Sequence, residues 1–99
     1  MADHPLKIFE KIDPELLNVV RNANEFALAD GVLPRKIKFL IAMALDAAHG
    51  TVEGTKSLAD QAMKAGASKE EIAEALRVTH FISGVGSVYV AARALKELF

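Results

Sequence analysis

The sequence predicts an all-α domain of about six helices. Three features carry that prediction: apolar residues recur at intervals of three and four, helix starts and stops punctuate the chain throughout, and no segment alternates with period two for long enough to make a strand. Asp13-Pro14-Glu15 has the form of an N-cap, a proline at the first helical position and an acid in the first turn. The helix it opens is expected to run to about Asp30, with Leu16, Val19, Val20, Ala23, Phe26 and Ala27 as its buried stripe and Gly31 as its stop. Before it, Pro5–Lys11 is at most a short helix.

Leu33-Pro34 begins the next helix, which continues through Ile37, Leu40, Ile41, Ala44, Leu45 and Ala48 to Gly50. Being apolar on most faces, it belongs in the core or between subunits. Thr51 is placed to cap a further helix over Val52–Ala65, with Gly66 as its left-handed terminus. Ser68-Lys69-Glu70-Glu71 is a capping box, in which Ser68 and Glu71 satisfy each other's free backbone N–H groups. The helix it opens should span about Lys69–Ile82 and stop at the glycine turn Gly84-Val85-Gly86. The last helix is expected over Ser87–Leu98, with Val88, Ala91, Ala92, Leu95 and Leu98 on one side.

At 99 residues, with no linker, low-complexity tract or internal repeat, the chain reads as one domain over 1–99. A monomer of that size hides only about 60 to 65% of the surface its unfolded chain exposes. Since 52% of its residues are hydrophobic, a homo-oligomer with an apolar interface is expected. The 12 basic and 13 acidic residues are interspersed, which argues against nucleic acid or an anionic membrane as partner. Met1–Lys7 has no apolar core of signal-peptide length, and the longest apolar run, Phe39–Leu45, is far too short to span a bilayer, so a cytoplasmic location is expected. The absence of cysteine excludes disulfides and thiolate metal sites.

The order of these features, with Ala65-Gly66-Ala67-Ser68-Lys69-Glu70-Glu71-Ile72 closing one helix and opening the next and the apolar Phe81–Ser87 segment beyond it, resembles the carboxymuconolactone decarboxylase and alkylhydroperoxidase D family over roughly the last two thirds of the chain. The resemblance implies an alkylhydroperoxidase D-like helical fold, assembly into oligomers, often hexamers, and a pocket near the subunit contacts. In redox members a Cys-x-x-Cys opens a helix, a histidine follows four residues later, and a relay glutamate lies twelve residues before the first cysteine. Counted back from Gly66, those positions fall on Thr51, Gly54, Leu58 and Phe39. None of the four can titrate near neutral pH, so the thiol chemistry of the family has no residues here to perform it. The decarboxylase branch generally keeps the histidine, and Leu58 replaces that too.

The resemblance leaves Phe39, Met43, Thr51, Gly54, Thr55 and Leu58 as pocket-lining candidates. Asp46 follows Phe39 at seven and Met43 at three, on the face that would carry the relay glutamate, and is the candidate base. Lying toward a helix C-terminus, against the dipole, it needs a partner, and a Lys or Arg from a neighbour would also serve. His49, Glu53 and His80 complete the catalytic candidates. His49 as a cation ending one helix, Glu53 as an anion opening the next, and His80 as a half-buried, hydrogen-bonded side chain explain them without a ligand. Neither a metal nor another cofactor is expected, because the spacings match no ligand motif. Gly84-Val85-Gly86 lacks the third glycine and the preceding strand of a nucleotide loop. Arg35, Lys36 and Lys38 read as solvated or intersubunit charges. Two functions remain: a non-redox enzyme or binder of a small apolar ligand in the family pocket, or a structural homo-oligomer whose pocket has filled.

Overall fold

The computed structural model describes residues 4–99. They form a 3-10 turn over Pro5–Ile8 and six helices: α1 (Phe9–Ile12), α2 (Pro14–Leu28), α3 (Arg35–His49), α4 (Val52–Lys64), α5 (Lys69–Ser83) and α6 (Val85–Leu95). No strand occurs among the described residues, and none of their helices is long and apolar enough to cross a membrane. Met1–Asp3, the start of the segment expected to lack a signal sequence, lie outside the described residues.

The local signals work as the sequence predicts at two starts. Asp13 accepts the Leu16 N–H at 3.1 Å, with Pro14 as the first residue of α2. At α5 both halves of the capping box are made: Ser68 Oγ accepts the Glu71 N–H at 3.1 Å, and Glu71 Oε1 accepts the Ser68 N–H at 2.9 Å. The Glu71 carboxyl is held below its ordinary range, first by that backbone N–H and then by the Lys36 ammonium at 3.0 Å.

Elsewhere the boundaries move for identifiable reasons. α2 stops at Leu28, because Ala29 turns to extended backbone and the Asp30 carboxylate is spent on the next helix, where it accepts the Arg35 N–H at 2.9 Å. Helix α3 begins at Arg35, with Pro34 in the cap position. Gly84 alone makes the α5–α6 turn: its φ of 84° and ψ of 176° suit only glycine, so Val85 and Gly86 already belong to α6. That helix ends at Leu95, three residues before the expected Leu98. The basic cluster of α3 finds partners within the chain. Lys36 pairs with Glu71, Lys38 donates to the Ala29 carbonyl at 2.7 Å, and the Arg35 guanidinium lies 5.2 Å from the Phe39 ring centre.

Helix α3 is central, packed against α4, α5 and α6. Phe39, Leu40 and Met43 from α3 meet Ala59 and Ala62 of α4, Ile72 of α5 and the connecting Ala67, with Leu58 and Leu76 against the edge of this cluster. α6 buries only small residues, Ser87, Ala91 and Ala94, which let it lie close to α3 and α4. Lys56 of α4 pairs with Glu97 beyond α6; each holds the other charged, raising the lysine pKa and lowering the glutamate's.

The buried stripe predicted for α2 is the largest departure. Only Leu17 of α2 is buried, whereas Leu16, Val19 and Ala23 are exposed and Phe26 is 89% exposed. The stripe exists, but among the described residues only Val20 of it is partly covered. Period predicts that a helix face is apolar; it does not say whether the covering surface comes from the same chain.

Candidate functional site

The site candidates gather where α3 ends and α4 begins. Gly50, at φ 86°, terminates α3 in the left-handed region, and its N–H is taken up by the Ala47 and Asp46 carbonyls. The Thr51 N–H then donates to the Asp46 carbonyl at 2.9 Å. Those bonds turn the chain sharply enough to bring the first turn of α4 back against the Asp46 side chain. Thr51 occupies the cap position, but its hydroxyl caps nothing; its carbonyl instead accepts both the Thr55 N–H at 3.0 Å and the Thr55 hydroxyl at 2.6 Å.

The closest relation at this junction is between Asp46 and Gly54. A β-carbon built on Gly54 would lie 2.1 Å from Asp46 Oδ2, 3.0 Å from its Cγ and 3.0 Å from the Thr51 methyl. Gly54 is therefore the seat of the carboxylate, and any side chain there would compete with Asp46 for the same volume. Asp46 is half-buried, and among the described residues its carboxylate has no hydrogen-bond or ion-pair partner. Its charge lies at the C-terminal end of α3, which is unfavourable, and beside the N-terminal turn of α4, which offsets part of that cost.

The pocket-lining candidates divide into an inner and an outer set. Phe39, Met43 and Thr55 are buried, Met43 and Thr55 at 0% exposure, and Leu58 packs against the same core. Asp46, Thr51 and Gly54 form the accessible edge. His49, the last residue of α3, and Glu53, in the first turn of α4, flank that edge and are exposed. His80 belongs elsewhere: it is exposed rather than half-buried, its imidazole has no hydrogen-bond partner among the described residues, and it lines a groove between α5 and α6 with Leu76, Arg77, Val85 and Val88. Among the described residues no three His, Asp or Glu side chains converge as metal ligands would. A larger depression of about 580 Å³ lies between the end of α2 and the start of α3, lined by Asn24, Glu25, Leu28, Ala29, Asp30 and Arg35, and involves none of the candidates.

Sequence reasoning placed Asp46 and Gly54 in one region but missed that they touch. The available signal was Gly54 itself, a residue that weakens a helix, standing in the first turn of α4 with no turn to make.

Comparison with known proteins adds one finding. Neither curated proteins nor solved structures give a match to the chain. A family model does, and it covers residues 14–97, from the first residue of α2 to beyond the end of α6: the chain belongs to the carboxymuconolactone decarboxylase family.

Proposed function

We propose that this chain is a non-redox member of its family that binds a small, largely apolar molecule at the α3–α4 junction, with Asp46 as the group that accepts a hydrogen bond or a proton from it. The observation that carries this reading is the half-buried Asp46 carboxylate, seated on Gly54 with no partner among the described residues. A half-buried carboxylate with no donor on the described part of its own chain is free to accept one from a bound molecule or a neighbouring subunit. By the family resemblance, Gly54 holds the position of the second redox cysteine. The Asp46 carboxylate fills the space a side chain would need there, so a thiol at 54 and this placement of the acid exclude each other. Phe39 and Leu58, in place of an acid and a histidine, make the inner side of the site apolar, with Asp46 as the acid on its accessible edge, and favour a ligand of little charge. His49, Glu53 and Thr51 stand at the entrance, where they would meet its polar end.

We take residues 1–99 as one domain working in the cytoplasm as a homo-oligomer, for which the resemblance implies a hexamer. The exposed apolar residues Phe26, Phe81, Ile82 and Tyr89 support assembly. They also favour a second reading, a structural homo-oligomer in which Asp46 pairs with a lysine or arginine of a neighbouring subunit.

A thermal-shift screen of small carbonyl, lactone and aromatic compounds against the wild type and Asp46→Asn separates the two. Under the first reading, compounds that raise the wild-type melting temperature lose that effect in the variant. Under the second, Asp46→Asn changes the oligomer mass, and no compound distinguishes the two proteins.

A further inference from the structure

The described chain is more open than a monomer of its mass should be. It exposes 6985 Å², against about 5,500 Å² expected for a compact monomer of 10.7 kDa. Its radius of gyration is 14.3 Å, against about 12.6 Å for a compact chain of this length. The excess of roughly 1,500 Å² exceeds the roughly 800 Å² each partner gives to a standard stable interface. Two apolar surfaces stand out within it.

The first is convex. Leu16, Val19, Ala23 and Phe26 follow one another at three, four and three along α2, the spacing of a seam that packs against another helix. It lies on the opposite side of α2 from Leu17, which is buried, and Leu28, which packs against the core, so it remains exposed on the described chain.

The second is concave. Two depressions of about 460 and 490 Å³ share Ala73 and Leu76 and together make one channel along α5, walled on its far side by Val85, Val88 and Leu95 of α6. The ridge runs along α2 from Leu16 to Phe26 and the channel along α5 from Lys69 to His80, about 15 and 16 Å at the rise of a helix, so the two match in length as well as in polarity.

We propose that the channel between α5 and α6 is filled by α2 of a second copy of this chain, with Phe26 and Val19 seated against Ala73 and Leu76. This rests on the homo-oligomer inferred above and adds the surface through which it forms; it is independent of Asp46. Each copy carries both ridge and channel, so the contact closes either reciprocally, made twice about a two-fold axis, or head-to-tail as a ring. The exposure of the α2 stripe and the unusual openness of the chain then have one cause. The surfaces are halves of a core completed only on assembly.

The test uses light scattering together with cross-linking, which the absence of native cysteine makes unambiguous. The wild type should be oligomeric, Phe26→Glu should lower the mass while keeping its helical circular dichroism, and Val32→Glu, on an exposed residue outside α2, should leave the mass unchanged. A short bismaleimide should link copies of the double variant Ala23→Cys/Ala73→Cys into dimers or higher species on a denaturing gel, while neither single variant cross-links. A monomeric wild type would overturn the homo-oligomer itself. An oligomer whose mass survives Phe26→Glu, or one that cross-links through Ala23→Cys alone, would leave the oligomer standing and refute this surface. If Phe26→Glu does not fold, the cross-link pattern decides.

Discussion

Replacing Gly54 by alanine sets two effects of known size against each other. Alanine in a helix is favoured over glycine by up to about 1 kcal/mol, so on propensity alone Gly54→Ala stabilises α4. The new methyl, however, would lie 2.1 Å from Asp46 Oδ2 and 3.0 Å from Cγ, and the carboxylate has to leave. Moving it costs roughly 0.5–1.5 kcal/mol if the side chain is forced off its rotamer, and about 0.3–1 kcal/mol for the lost interaction with the start of α4. In the wild-type background the substitution should therefore be neutral to destabilising by about 1.5 kcal/mol. In an Asp46→Ala background the carboxylate is gone, only the 3.0 Å approach of the Thr51 methyl remains, and the same substitution should stabilise by up to about 1 kcal/mol. The coupling between the two sites is then about 1–2 kcal/mol. Urea unfolding of the four proteins at one protomer concentration measures it, since assembly would otherwise shift the midpoint. Effects that add to within about 0.5 kcal/mol would show that Asp46 does not rest on Gly54 and would remove the geometric basis of the proposed site.

Three further outcomes are expected. Met43→Ala empties a site at 0% exposure in the middle of the core and should cost about 2–5 kcal/mol, a large part of the stability of a domain this size; an unfolding free energy lowered by less than about 1 kcal/mol would contradict the packing described. The depressed Glu71 pKa means that this residue's contribution to stability is in place above the ordinary carboxylate value of about 4.3 and is lost as pH falls through its lower folded value. Glu71→Gln keeps an acceptor for the Ser68 N–H without titrating, so its stability should decline less than the wild type's over that acid range, and superimposable acid limbs would disprove the assignment. With no cysteine in the chain, peroxide reduction driven by a dithiol should stay at background, and genuine turnover would refute the non-redox reading.

What the sequence revealed depended on the range of the interaction. Asp13 with Leu16 and Ser68 with Glu71 are contacts three residues apart that follow from residue type alone, and both are made. A GxG pattern looks like a turn and puts the start of α6 too late, because glycine is tolerated in a first helical turn and Gly84 suffices to reverse the chain. His80 was expected to be half-buried beside Phe81, yet Phe81 is itself 83% exposed, so its neighbourhood offered no burial to share. The α2 stripe was legible as apolar, but not its lack of cover. The seating of Asp46 on Gly54 spans eight residues and requires the Gly50 turn to close, which places it beyond residue spacing.

A crystal structure of the assembled protein, purified without added ligand, decides whether the partner of the Asp46 carboxylate is a small molecule. Open volume or bound density beside Asp46, Thr51 and Gly54, with a donor of that molecule on the carboxylate, is the expected result. An Asp46 paired with a lysine or arginine of a neighbouring subunit, in a junction packed shut, would contradict it and make the assembly itself the functional object.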